Sequence, residues 1–166
     1  MLDGKVERIY NVSDARRGIC YAIANEVGGD AEHIYRYIQE DVNIYKHPMF
    51  VYVTVYGRLA GFIKGCEAEV PEECFKTFPR DSLSAKIDYL YVDEELHGMG
   101  IGQALMHAYT DYAMSNGFRT IHLNSSNLER TKLFYRKQGF RKINRGRFRE
   151  SIYGKILTDN KAGLKR

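Results

Sequence analysis

A chain of 166 residues, 44% apolar and 28% charged, has the size and balance of one globular domain with a single core. No apolar run approaches the roughly 20 residues a membrane helix needs, which excludes a helical membrane span. The net charge of +4 is unevenly placed: residues 1–129 hold 12 Lys/Arg against 19 Asp/Glu (net −7), and residues 130–166 hold 13 against 2 (net +11). That division points to a polyanion near the C-terminal part and to a cation, if anything, near the N-terminal part; a solvated basic face is the alternative. Met1-Leu2-Asp3-Gly4-Lys5 carries no apolar signal core. Cys20, Cys66 and Cys74 are odd in number and lack metal-ligand spacing, so they read as reduced thiols of a cytoplasmic protein, and no metal site is expected. No repeat, low-complexity tract or linker interrupts the chain. Residues 1–157 are expected to form a single domain, followed by a polar, mobile tail over 158–166.

In chain order, Val6–Tyr10 reads as a first strand. Ile19, Ala22, Ile23 and Val27 recur at helical spacing up to Gly28-Gly29. Asp30 suits the N-cap of a second helix, with Ile34, Tyr37, Ile38, Val42 and Tyr45 on one face before Pro48. Phe50–Tyr56 and Leu59–Gly65 form a hairpin about Gly57-Arg58. Glu67–Asp81, with two of the three prolines and five acidic residues, reads as a loop with at most one helical turn. Ser84–Val92 is a strand, and a helix with a stripe of Ile101, Leu105, Ala108 and Tyr112 runs to Asn116-Gly117. Thr120–Leu123 is a strand, Leu128–Lys137 a helix, and Phe140–Ile143 and Arg149–Leu157 are closing strands. Strands and helices in this alternation argue for a mixed sheet with helices on both faces.

Between a strong strand and an amphipathic helix stands His97-Gly98-Met99-Gly100-Ile101-Gly102. Glycines let backbone approach a ligand closely, and the unpaired amides opening the next helix suit a pyrophosphate. The spacing is not the Gly-x-Gly-x-x-Gly of dinucleotide folds, and the Gly-Lys-Ser/Thr of a nucleoside-triphosphate loop is absent. Taken with Ile87-Asp88-Tyr89-Leu90-Tyr91-Val92-Asp93 before it and Ala104-Leu105-Met106 after it, the segment resembles the acetyl-CoA motif of the GNAT N-acetyltransferases. Asn127-Leu128-Glu129-Arg130-Thr131-Lys132-Leu133-Phe134-Tyr135-Arg136-Lys137-Gln138-Gly139-Phe140 resembles the later motif of the same family. It differs in the distance of Asn127 from the tyrosine and in Thr131, where the family has Ala; His97 stands where the family has Arg or Gln.

The resemblance implies an α/β (α+β) fold: a mixed, mostly antiparallel twisted sheet of about seven strands, four helices on both faces, and splayed central strands. It implies an acetyl-CoA-dependent N-acetyltransferase in which a primary amine attacks directly in a ternary complex, with acetyl-CoA as co-substrate and no metal. Backbone of Leu90 and Val92 would hold pantetheine, and an amide of Leu90 or Tyr91 would polarise the thioester carbonyl. His97, Gly98, Met99, Gly100, Ile101, Gly102 and Gln103 would surround the pyrophosphate, and Asn127 would contact pantetheine or simply cap its helix. Tyr135 would protonate the departing sulfur, for which a phenol is a credible donor.

Asp88, two residues before Leu90 and so on the same face of a regular strand, is the first candidate for the base. Glu67, Glu69, Glu72 and Glu73 are placed to draw in a cationic acceptor. The acceptor is a small-molecule or peptide amine, a homodimer is left open, and no membrane partner is expected. Two rivals compete. Arg136, Lys137, Arg141, Lys142, Arg145, Arg147 and Arg149, interleaved with Phe140 and Phe148, have the pattern of a nucleic-acid surface, the disfavoured reading. A non-catalytic acyl-CoA sensor is the other.

Overall fold

The structure is a computed structural model and describes residues 3–27, 31–72, 76, 78, 83–125, 128–145 and 151–157. Its strands are Gly4–Ile9 (β1), Met49–Thr54 (β2), Leu59–Glu69 (β3), Leu83–Val92 (β4), Thr120–Ser125 (β5), Arg141–Arg145 (β6) and Ser151–Ile156 (β7). Its α-helices are Arg16–Val27 (α1), Ala31–Gln39 (α2), Ile101–Ser115 (α3) and Glu129–Lys137 (α4). The strands form one mostly antiparallel sheet in the order β1-β2-β3-β4-β5-β7-β6, the α/β architecture expected from the sequence. Two compact units divide the chain, one within Met1–Cys66 and Asp88–Tyr109, the other within Glu67–Ile87 and Thr110–Arg166.

In the first unit, β1 and β2 pair antiparallel from Gly4↔Thr54 to Ile9↔Met49, and β2 pairs with β3 from Met49↔Lys64 onward. The alternation of Met49 and Val51 puts both on one face, where they meet Val12, Ile19, Ala22, Ile23, Tyr35, Ile38, Val42 and Phe62 in a core under α1 and α2. The second helix does not end at Gln39. It continues as a π-helical turn over Glu40–Ile44, whose extra residue rotates the side chains beyond it. Tyr45, expected on the buried face, is 59% exposed for that reason, and Tyr37 lies on the flank, with Tyr35 taking the core position instead.

In the second unit, the front of β4 pairs parallel with β5 over Ala85↔Ile121, Lys86↔His122 and Ile87↔Leu123. A parallel pair needs a long crossover, which α3 supplies. β5 pairs antiparallel with β7 from Thr120↔Ile156 to Ser125↔Ser151, and β7 pairs with β6. Ser84 Oγ donates to Thr120 O at 3.2 Å, so the buried His122 donates its Nδ1–H to Ser84 Oγ at 2.7 Å. The pair is a satisfied core polar link, not a nucleophile.

Several boundaries move. β3 runs on to Glu69, so Glu67 and Glu69 sit on a strand with their side chains exposed, and of the loop's remaining acidic residues only Glu72 is described. The buried stripe of α3 is Ile101, Leu105, Met106, Tyr109 and Ala113, turned by less than one residue from the expected one, with Ala108 and Tyr112 half-buried. Gly28-Gly29, Asp30, Glu73, Cys74, Asn127, Arg147, Phe148, Arg149 and the tail 158–166 lie outside the described residues. No helix among the described residues is long and apolar enough to cross a membrane.

Candidate active site

The second half of β4 departs from a regular strand. Met49 and Val51, both in the helical core, stand opposite Lys64 and Phe62, so Lys64 and Phe62 share the face beneath α1 and α2. Asp88 Oδ2 accepts from Lys64 Nζ at 2.7 Å, and Tyr91 stacks on Phe62 with ring centroids 6.0 Å apart. Residues three apart on a regular strand point to opposite faces. With Asp88 and Tyr91 both reaching the same face, β4 breaks its alternation between them, as a β-bulge does. The ladder with β5 ends at the same place, Ile87, and Asp88–Val92 lie beyond it. The expected common face of Asp88 and Leu90 is thereby corrected: Asp88 turns toward the α1–α2 core with Tyr91.

Backbone direction is set by two contacts. Asp93 N–H donates to Ala60 O at 2.9 Å, and Tyr91 O lies so near Gly61 that a Cβ there would sit 2.6 Å from it. Both groups point to β3, so alternation turns the N–H and C=O of Val92 away from it. The Val92 carbonyl then accepts from His97 Nε2–H at 2.8 Å, which fixes that ring nitrogen as the donor. The carboxylate of Asp93 accepts from Glu95 N–H at 3.2 Å, starting a 3₁₀ turn over Glu94–Leu96, and it is bound by the Arg58 guanidinium of the β2–β3 hairpin.

Past His97 the chain makes its expected turn. Gly98 and Gly100 have φ of 82° and 83°, conformations that L side chains avoid, and a Cβ on either would meet no atom within 4 Å. Glycine is therefore required by the backbone and not by crowding, and the outer side of the turn is open to a ligand. The first bond within α3 runs from Ala104 N–H to Gly100 O at 3.0 Å, so the amides of Ile101, Gly102 and Gln103 have no carbonyl one turn back. Met99 N–H is already spent on Leu96 O at 3.4 Å. An open turn, three helix-opening amides and the positive end of a 15-residue helix fit a phosphate-bearing group such as the pyrophosphate of coenzyme A.

On the core side of the bulge lies a cluster that sequence spacing does not assemble. Lys64 is fully buried, and its Nζ is held by Asp41 of the π-helical turn and by Asp88. The Tyr37 ring covers the ammonium at 5.1 Å, His47 Nδ1 lies 3.2 Å from Asp41 Oδ2, and Cys66 Sγ donates to Asp88 Oδ1 at 3.8 Å. Burial alone would lower the pKa of Lys64, but hydrogen bonds and attraction from the two carboxylates outweigh it and hold the ammonium above its usual range. Burial would likewise raise Asp41, and the contacts with Lys64 and His47 pull it below the usual carboxylate range. A charged residue at an apolar-periodic position of β3, and another between Ile38 and Val42, were the signals available in the sequence.

Tyr135 lies on α4 in the second unit, 8% exposed, among Phe134, Phe140 and Tyr153 at centroid distances of 5.3, 5.7 and 5.7 Å. The structure thus gathers Asp88, Leu90, Tyr91, Val92 and His97 through Gln103 in one unit, and places Tyr135 in the other. Among the described residues no group of three or more His, Cys, Asp and Glu is arranged to hold a metal.

Solved structures of this fold are similar over nearly the whole chain. An acetyltransferase from Streptococcus agalactiae 2603 aligns with a TM-score of 0.73 at 16% identity, covering 95% of this chain and 100% of that one. An aminoglycoside 6'-acetyltransferase type Ii gives 0.71 at 14% identity, with 93% and 97% covered. A glucosamine-6-phosphate N-acetyltransferase from Arabidopsis thaliana gives 0.63 at 19% identity, with 82% and 90% covered. No curated protein matches the sequence. The profile of the acetyltransferase (GNAT) family matches residues 16–140, well over half the sequence, and with the interrupted strand and glycine turn inside that span the chain belongs to this family of acyltransferases.

Proposed function

We propose that the chain transfers an acetyl group from acetyl-CoA to a primary amine by direct attack in a ternary complex. The observation that carries this reading is the end of the β4–β5 ladder at Ile87, followed, after Asp88–Val92 and a 3₁₀ turn, by an open glycine turn at the N-terminus of α3. Acetyl-CoA enters as co-substrate, supplying the thioester. Amides of Gly98 through Gln103, excepting Met99, bind the pyrophosphate, and the backbone of Leu90 and the Val92 N–H hold pantetheine, with Asn127 as a further contact. Leu90 is preferred to Tyr91 as the amide that polarises the thioester carbonyl, because the Tyr91 carbonyl faces β3 at Gly61 and strand alternation turns the Leu90 backbone the other way. His97 borders the phosphates and closes the turn onto Val92.

The proton balance is then defined. Asp88 takes one proton of the acceptor ammonium, the neutral nitrogen attacks the thioester carbon, and the carbon–sulfur bond breaks as Tyr135 gives the sulfur a proton; the second proton of the acylated nitrogen restores the Tyr135 hydroxyl, so one proton leaves through Asp88 per turnover. Two of the similar structures are named for amine-bearing sugars, and the acidic surplus over residues 1–129 supports a cationic acceptor, a small-molecule amine or a peptide amine. Calorimetry with acetyl-CoA, followed by thiol-release assays over polyamines, amino sugars, amino-acid derivatives and peptide N-termini, tests the reading. Binding with turnover of at least one amine is expected. Absence of coenzyme binding removes it, and binding without thiol release over the whole panel leaves a sensor instead.

A further inference from the structure

We propose that Lys64 is a positioning residue whose buried ammonium, shared between Asp41 and Asp88, holds the Asp88 carboxylate in place. The inference rests on the reading of Asp88 as the group that receives the acceptor's proton. It explains why a lysine occupies a fully buried position on β3, where its desolvation has to be offset. Three geometric facts converge on it. Lys64 Nζ is 2.7 Å from Asp88 Oδ2, Asp88 is the first residue of β4 past the β5 ladder, and the other carboxylate comes from the π-helical turn, a type of insertion frequent at functional sites.

A strand that breaks its alternation leaves a side chain poorly determined by the pleat. The ion pair to β3 restores that determination. The two carboxylates compete for one cation, so removing either partner acts on Asp88 in opposite directions. Without Lys64, Asp88 faces the negative charge of Asp41; without the charge of Asp41, Asp88 keeps Lys64 to itself. The other titratable groups facing this pair among the described residues are Tyr37 from α2, His47 after the π turn, Cys66 from β3 and Tyr89 from β4.

The test is the pH dependence of kcat/KM for wild type, Lys64→Met, Asp41→Asn and Asp88→Asn. Lys64→Met is expected to move the acid limb of the profile to higher pH, because the cation beside the carboxylate is lost. Asp41→Asn is expected to move the limb to lower pH, and Asp88→Asn to remove it. Coenzyme affinity stays unchanged throughout. Shifts in the same direction for the first two variants, or no shift, overturn the role of Lys64. If Lys64→Met does not fold, an unmoved Asp41→Asn profile overturns it alone. A wild type that turns over no amine sinks the parent reading, whereas an active wild type with immobile limbs sinks only the part given to Lys64.

Discussion

Gly100 carries two separable demands, a left-handed backbone at φ 83° and proximity to the proposed phosphates. Gly100→Ala meets only the first, at about 1–2 kcal/mol of stability, because the space around a Cβ there is open. Gly100→Asp adds a like charge beside the pyrophosphate and is expected to weaken coenzyme A binding by more than about tenfold relative to Gly100→Ala, a change of about 1.4 kcal/mol. Calorimetry on the two variants checks this, and equal affinities would remove the phosphates from the turn. Tyr135 poses a different question, since its ring is packed on Phe134, Phe140 and Tyr153 whether or not the hydroxyl reacts. Tyr135→Phe keeps that packing. Loss of a general acid is expected to lower kcat by about 10²–10⁴-fold with little change in coenzyme affinity; wild-type turnover would take the acid role from Tyr135.

Among the elements, the π-helical turn after α2 does the most that periodicity alone does not disclose. It brings Asp41 to Lys64, and it is tied to the start of α1 by a side-chain lattice. Asn43 Oδ1 accepts from the buried Val12 N–H at 3.0 Å, Asn43 Nδ2 donates to Asn11 Oδ1 at 3.0 Å, and Asn11 caps the 3₁₀ turn over Val12–Ala15 by accepting from Ser13 N–H. Asn43→Ala therefore strands the Val12 amide in a fully buried place. A loss of about 1–3 kcal/mol is expected from urea denaturation, the cost of a buried donor left unpaired. A loss of a few tenths of a kcal/mol would mean that water or Asn11 takes over. Helical spacing located α1 through α4 because apolar residues at three and four mark a face, but it placed Tyr45 in the core since a regular helical period cannot register one inserted residue, and it took Tyr37 for the core position that Tyr35 holds. Likewise, strand alternation put Asp88 beside Leu90, and a bulge has no composition by which to announce itself.

For the whole molecule, the order of strands and helices was legible in the sequence because each element has its own periodicity and the glycine turn sits where a strand hands over to a helix. The glycine turn was legible too, since Gly98 and Gly100 mark it directly. The ionic cluster was not, because Asp41, Lys64 and Asp88 are separated by 23 and 24 residues and become neighbours only when three elements pack. Their joint effect on stability has a definite sign. Asp41 is held below its usual range, so its contribution is complete above the unfolded carboxylate value of about 3.9 and is lost as pH falls through the lower folded value. Lys64 is held above its usual range, so its contribution is complete below about 10.4 and is lost as pH rises through the higher folded value. Wild type should therefore weaken at the acid end through Asp41 and at the alkaline end through Lys64. In Lys64→Met the alkaline loss disappears. At the acid end the slope reverses its contribution, because Asp41, left beside the Asp88 carboxylate with no cation between them, is relieved, not impaired, by taking up a proton. Urea midpoints from about pH 3 to 11 for the two proteins should accordingly converge toward both extremes and differ most near neutrality. Curves that run parallel across the range would show that the three side chains do not carry these charges in the folded protein.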